Sequence, residues 1–234
     1  MKITDYELKV KQGIDVAFEY HGFKGSKHEK ALVLYSGGMD SVSLAWNLLE
    51  HTEQDVHIHA IHLHNRENRI NAEATAIQNS IEYMQKKQRP FTFSSSTYSW
   101  LAEYAGGKDM TLALFQAARV MAGTGQSFNV VYTGDYNMTK EETAEAYGVF
   151  NAACINRRIK PIWATPLDYM TKISVDRSLG VYLSMPEELR EAYWSCRRPS
   201  QSPAGFLKCG KCHACERQHA MFEKLNTLSE EEKQ

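Results

Sequence analysis

The sequence predicts an α/β fold, a doubly wound parallel sheet with a small helical segment after it. Three observations lead there. Short apolar runs of strand length alternate with amphipathic stretches of helix length from residue 31 to about residue 163. A Ser-Gly-Gly-Met-Asp-Ser turn, residues 36–41, stands where the first of those strands hands over to a helix. Beyond about residue 164 the alternation stops, and helices and turns lead into four closely spaced cysteines. The chain divides accordingly into an N-terminal β-hairpin extension (1–24), a sheet domain (25–163) and a helical segment with the cysteines (164–234).

Each element has its own signal. Residues 6–23, YELKVKQGIDVAFEYHGF, alternate apolar and polar around Gln12-Gly13, the pattern of a hairpin or two edge strands. Ala31 to Tyr35 is wholly apolar, as expected of a central strand covered on both faces, and Val42, Ala45, Trp46 and Leu49 then share one helical stripe. DVHIHAIHLHN forms a second strand, with His57 and His59 on one face and His62 and His64 on the other. A partly buried strand surface accounts for those histidines better than a metal does. Arg66 and Arg69 follow as a solvated pair. Ile70, Ala74, Ile77, Ile81 and Met84 recur at intervals of four and three, which marks an amphipathic helix.

A short strand near Phe91 to Phe93, a helix from about Thr111 to Ala122 and the strand FNVVYT come next. Thr139-Lys-Glu-Glu142 is a capping-box start for the following helix, on which Cys154 reads as an ordinary buried thiol. The closing part runs through TPLDYMTKISVDRSLG and MPEELREAYW to the cysteines and a last helix to about Leu228.

With 234 residues, 43% of them hydrophobic, the chain can bury a sizeable core. Its formal net charge of −1 supplies no global field toward nucleic acid or an acidic membrane. No run approaches the roughly 20 apolar residues of a membrane span, and MKITDYELKVKQG lacks the apolar stretch of a secretion signal. A cytoplasmic protein is expected. In a reducing compartment clustered thiols read as a metal site rather than a disulfide framework.

The glycine turn is a candidate anion site. A helix N-terminus presents unpaired N–H groups and the positive end of its dipole, and glycines let the backbone approach a phosphate closely. Ser36 and Ser41 can donate hydroxyl hydrogen bonds, and Asp40 can cap the helix or help hold Mg²⁺. The candidate nucleotide contacts are Tyr35, Ser36, Gly37, Gly38, Met39, Asp40, Ser41 and Val42. A tight turn with a Ser or Asp cap is the plain alternative. Neither G-x-x-x-x-G-K-[ST] nor G-x-G-x-x-G occurs in the chain. Asp135, after the FNVVYT strand, stands where doubly wound sheets bind ligands, which favours a substrate or ribose contact, and an ordinary turn Asp accounts for it equally well.

Cys196, Cys209, Cys212 and Cys215 form C-x12-C-x2-C-x2-C. Two tight C-x-x-C turns and a returning loop can close a tetrahedron about Zn²⁺, leaving no open position for water. An iron–sulfur cluster is the rival, disfavoured because the fourth ligand lies upstream and no Cys-Pro follows. His213 is surplus to a complete sulfur set.

The hexapeptide at the end of the first central strand resembles the S-G-G-x-D-S loop of the ATP pyrophosphatase (PP-loop) superfamily, whose members bind ATP there and adenylate a substrate oxygen. Joined to the C-terminal cysteines, it resembles the 7-cyano-7-deazaguanine synthases in particular. IHAIHLHNRENRINAEATAI, TPLDYMTKISVDRSLG and YWSCRRP extend that likeness over most of residues 31–223. Two segments differ: Gly106-Gly107-Lys108-Asp109 replaces the family's Pro-x-Arg-Asn, and Tyr136 to Glu142 replaces Tyr-Pro-Asp-Cys-Arg.

The resemblance implies an ATP-dependent carbon–nitrogen ligase that turns 7-carboxy-7-deazaguanine and ammonia into a nitrile by way of an amide, using ATP, Mg²⁺ and structural Zn²⁺. It also implies that Lys172 stabilises the parting phosphates and that Asp40 is catalytic. Neither nucleic acid nor membrane is an expected partner, and a hairpin outside the main sheet could pair two subunits as a homodimer. The same chemistry halting at the amide or taking another carboxylate, a PP-loop tRNA thiolase, and a non-catalytic nucleotide-binding scaffold are the alternatives.

Overall fold

A computed structural model describes residues 3–20, 29–65, 67–99, 109–124, 127–134, 138–155, 162–167 and 176–232. Five parallel strands form one sheet in the order β3-β2-β1-β4-β5, with β1 at Lys30–Tyr35, β2 at Asp55–His64, β3 at Thr92–Ser99, β4 at Val130–Tyr132 and β5 at Ile162–Ala164. Leu32 sits opposite His57 on one side and Val131 on the other, so β1 is the centre of the sheet.

Alternation along β1 divides the core in two. Ala31, Val33 and Tyr35 pack with α2 (Met39–His51) and α3 (Ile70–Lys87), whereas Leu32 and Leu34 pack with α4 (Asp109–Thr124) and α5 (Lys140–Ile155). Helices therefore cover both faces, as the uninterrupted apolar run in β1 predicts. The capping box is present: the Thr139 N–H donates to Glu142 Oε2 at 2.8 Å, and the Glu142 N–H donates to Thr139 Oγ1 at 3.2 Å.

The N-terminal segment corrects the hairpin expectation. Ile3–Tyr20 is one helix, α1. Tyr6, Leu8 and Val10 fit a strand face, but Tyr6, Val10 and Ile14 fit a helical stripe equally well, and those three are buried while Leu8 is 57% exposed. The helix joins the same core cluster as Val33, Leu189 and Met221. Its Tyr6 hydroxyl donates to the Asp176 carbonyl at 3.1 Å, next to α6 (Arg177–Leu183). The hairpin-mediated pairing of two subunits loses its basis with the hairpin.

Two further elements lacked a period long enough to read. β5 has three residues, and the antiparallel ribbon of β6 (Ser200–Ser202) and β7 (Gly205–Leu207) lies inside the cysteine loop. Between them, α7 (Glu187–Ala192) follows α6, and α8 (His213–Glu232) closes the chain. No helix among the described residues is long and apolar enough to cross a membrane.

The edge strand β3 is longer than its phenylalanines suggest, because its hydroxyls face the histidines of β2. His57 bonds Thr92 Oγ1 and Ser94 Oγ, both at 2.7 Å, and His59 bonds Ser94 Oγ at 2.7 Å and Ser96 Oγ at 2.9 Å. Each of these two neutral rings thus has both nitrogens satisfied. Burial lowers the pKa of His57, and burial with the neighbouring His57 and His62 brings His59 down to about 4. A folded pKa below the unfolded value of about 6.5 means the unfolded chain binds more protons, so this contribution is present above pH 6.5 and is lost as pH falls toward 4. Urea unfolding at pH 7.5 and pH 5 should therefore show a loss of about 1–2 kcal/mol on acidification, discounted for solvent at the strand edge. His59→Asn should flatten that dependence; an unchanged slope contradicts the assignment.

Candidate functional site

β1 connects leftward to β2, and β4 connects rightward to β5, so the strand order reverses between the adjacent strands β1 and β4. In open α/β sheets a crevice opens at the carboxyl ends of the strands at such a point. Here a cleft of about 280 Å³ lies there, lined by Tyr35, Ser36, Asp40 and Ser41 from one side and by Thr133 and Gly134 from the other. Gly38 and Met39 line it too, whereas Gly37 and Val42 do not.

The turn needs both of its close approaches. Gly37 has φ +72°, and a Cβ there would stand 2.8 Å from Ile77 Cγ1. At Gly134 a Cβ would meet the Asp40 carbonyl carbon at 2.7 Å, backbone that cannot step aside. The end of β4 is thereby pressed against the first turn of α2. Ser41 Oγ donates to the Gly38 carbonyl at 3.1 Å and accepts the Ser36 N–H at 3.2 Å, which fixes the loop from within.

Asp40, in that first turn, carries two arginines. Arg177 Nη1 lies 2.6 Å from Oδ1 and Arg217 Nη2 lies 3.2 Å from Oδ2. Each carboxylate oxygen meets one guanidinium group, so Asp40 positions the two arginines beside the turn. Two guanidinium groups thus stand beside a helix N-terminus, an arrangement suited to phosphate.

Across the cleft a second ionic group forms around Arg69, which is buried rather than solvated. Its Nε stands 3.1 Å from both Glu67 and Glu73, and its Nη2 stands 2.6 Å from Asp109. Arg197 reaches Glu67 at 3.3 Å. Burial pushes the Glu73 carboxyl up to about 7 despite the pull of Arg69. Arg66 lies outside the described residues.

The cysteines converge as their spacing predicts. All four Sγ atoms lie within 4.8 Å of one another, and Cys209 Sγ is 3.9 Å from Cys215 Sγ. A single tetrahedral ion with metal–sulfur bonds of about 2.3 Å requires sulfur–sulfur separations of about 3.8 Å. Thiolates at the outer corners of an iron–sulfur cube stand farther apart, so the donor set fits one four-coordinate ion. Backbone N–H groups already point at the sulfurs: Cys209 to Cys196 at 3.2 Å, and Arg197 to Cys212 and Lys211 to Cys209, both at 3.5 Å. Cys154 is buried among α4, α5 and β4, away from this group.

The knuckle touches the glycine turn directly. The Trp194 N–H donates to the Gly37 carbonyl at 2.9 Å, and the Met39 N–H donates to Ser195 Oγ at 3.3 Å. The structure thus brings together Ser36, Gly38, Met39, Asp40 and Ser41 with Arg177, Ser195 and Arg217, which sequence reasoning missed. Arg177 and Arg217 are 137 and 177 residues from Asp40, beyond any local period. The available signal was adjacency: Ser195 precedes Cys196, and Arg217 follows Cys215 by two positions. Lys172 and Asp135 lie outside the described residues.

No family model matches the sequence, and no curated protein matches it. Among solved structures, the U34-tRNA thiolase NcsA from Methanococcus maripaludis with its [4Fe-4S] cluster superimposes on 98% of this chain and 73% of its own, at 14% identity and a TM-score of 0.42. A short-chain dehydrogenase/reductase (wide type) from Veillonella parvula in complex with NADP covers 70% of this chain and 60% of its own, at 11% identity and a TM-score of 0.27. At that level of similarity neither likeness bears on function.

Proposed function

We propose that this chain is an ATP-dependent carbon–nitrogen ligase that adenylates 7-carboxy-7-deazaguanine, replaces AMP with ammonia, and repeats the activation on the amide to give 7-cyano-7-deazaguanine. The observation that carries the adenylating part is the Ser36–Ser41 turn at the sheet's reversal point, with Asp40 holding Arg177 and Arg217 beside it. The substrate rests on the resemblance of residues 31–223 to the deazaguanine enzymes.

The chemistry follows from what carboxylates and amides lack. A carboxylate is a poor electrophile, and an amide oxygen is a poor leaving group. The substrate carboxylate oxygen attacks the α-phosphorus and pyrophosphate departs toward the amides of the turn, Ser36, Ser41 and the arginine pair, which stabilise its growing charge. Ammonia then adds to the acyl carbon, loses a proton and expels AMP. In the second round the amide oxygen attacks another α-phosphorus, and loss of AMP and the nitrogen-bound protons leaves the nitrile. Magnesium would travel with the nucleotide phosphates, and no step here is routed through it. Lys172 remains the proposed further cation at the parting phosphates, and Asp135 the proposed substrate or ribose contact. The cysteines would hold Zn²⁺ as a structural ion with no open position.

One observation favours a second reading, a tRNA thiolase: Arg197, Arg198, Lys208 and Lys211 are exposed around the knuckle, a local basic surface that the net charge conceals. Incubation with ATP, Mg²⁺, ammonium and 7-carboxy-7-deazaguanine, with products read by mass spectrometry, separates the possibilities. The nitrile with stoichiometric AMP and pyrophosphate is expected. Amide alone supports a truncated reaction, and unchanged acid with folded, metal-loaded protein rejects this substrate.

A further inference from the structure

The four-cysteine knuckle sits where an ordinary stability device has no need to be. Its first ligand, Cys196, directly follows Ser195 and Trp194, and both of those residues bond the glycine turn. Its last ligand, Cys215, lies on the first turn of α8, and Arg217 on the next positions of that turn reaches Asp40. Trp194 is tied back to the knuckle by its indole N–H, which donates to the Cys196 carbonyl at 3.0 Å. Lys208, one residue before Cys209, lies 5.9 Å from the Trp194 ring centroid. These three contacts with the glycine turn and the first turn of α2 come from residues within two positions of a cysteine ligand.

From this we infer that the knuckle is the second wall of the nucleotide site: the bound metal holds Ser195 and Arg217 in the phosphate cradle, so loading it sets nucleotide affinity. Ser195 Oγ accepts the Met39 N–H and keeps its own proton to donate to a phosphate oxygen. Arg217 presents a guanidinium beside the same helix terminus. Without the ion, four thiols have no common partner, and the two turns that carry these side chains lose their anchor. The core of the sheet is built from other residues and does not depend on the ion. The inference rests on the nucleotide reading above for its ligand, though not for its mechanical part.

Two arms test it on the full chain, metal-loaded and after chelation with the chelator removed. ATP titrated by calorimetry should bind the stripped protein about 10-fold or more weakly, the scale of one lost charge-assisted hydrogen bond. Arg217→Ala in loaded protein should weaken binding comparably, and Arg217→Lys should recover part of it. In the second arm, hydrogen exchange without nucleotide should show the Met39 and Trp194 amides losing protection on stripping while β1 and β2 amides keep theirs. Equal affinity with unchanged Met39 protection overturns the inference, and so does loss of protection throughout the sheet, since the ion would then hold the whole fold. If neither form binds ATP, the nucleotide reading fails while the exchange arm still decides the coupling.

Discussion

Asp40→Ala is expected to destabilise the protein by about 3–5 kcal/mol, the cost of removing one partner of a buried ion pair, and to lower the melting temperature by on the order of 10 °C. The reason is Arg177, whose side chain is 1% exposed and whose Nη1 lies 2.6 Å from Asp40 Oδ1. Removing the carboxylate takes an ion-pair partner from that buried guanidinium and from Arg217 at the same time. Asp40→Asn keeps the shape and loses the charge, so its loss should be smaller. Pairing Asp40→Ala with Arg177→Met should restore part of the stability because the buried cation is gone. It should not restore pyrophosphate release, which should remain at least about 100-fold down if the arginines stabilise the departing pyrophosphate. Thermal melts of the three variants with a pyrophosphate-release assay decide this, and an Asp40→Ala protein as stable as the parent contradicts the structure of the pair.

Cys212→Ser should have the second large effect. The Cys212 thiol is buried, which opposes ionisation, yet the backbone amides of Arg197 and Cys215 and the neighbouring thiols hold it below the usual thiol range. Structural zinc contributes on the order of 10 kcal/mol of binding free energy in small zinc domains, much of it folding free energy. One hydroxyl in place of a thiolate should reduce bound zinc from one equivalent per chain to nearly none. Unfolding should then split, with the segment around residues 193–217 melting well before the sheet. Atomic absorption and differential scanning calorimetry read both outcomes. A variant that keeps its metal, or parent protein that is brown and carries iron, contradicts the proposal that these cysteines hold zinc.

Where a period was long enough, the sequence led to the right element. Ala31 to Tyr35 could only be a strand buried on both faces, and Ile77, Ile81 and Met84 could only line a helix. The strand–helix joint at Ser36 and the cysteine spacing were legible because their chemistry is local, fixed by neighbours a few residues apart. α1 was misread because Tyr6 and Val10 satisfy period 2 and period 3.6 at once, and only the solvent exposure of Leu8 separates the two. β3 was underestimated because Ser94 and Ser96 are weak strand formers in isolation and gain their partners only when His57 and His59 are alongside. The arginines at Asp40 were illegible for a related reason. Their role is created by folding two distant helices onto one turn, and no window of sequence contains both ends of either ion pair.

The most direct test of the central claim is a crystal structure with a non-hydrolysable ATP analogue. The account predicts the outer phosphates against the amides of residues 37–41, within hydrogen-bond reach of Ser36, Ser195 and Arg217, with the α-phosphorus open toward the cleft beside Gly134. A nucleotide bound elsewhere, or a turn that stays closed and empty at saturating analogue while the fold and metal are intact, would contradict it.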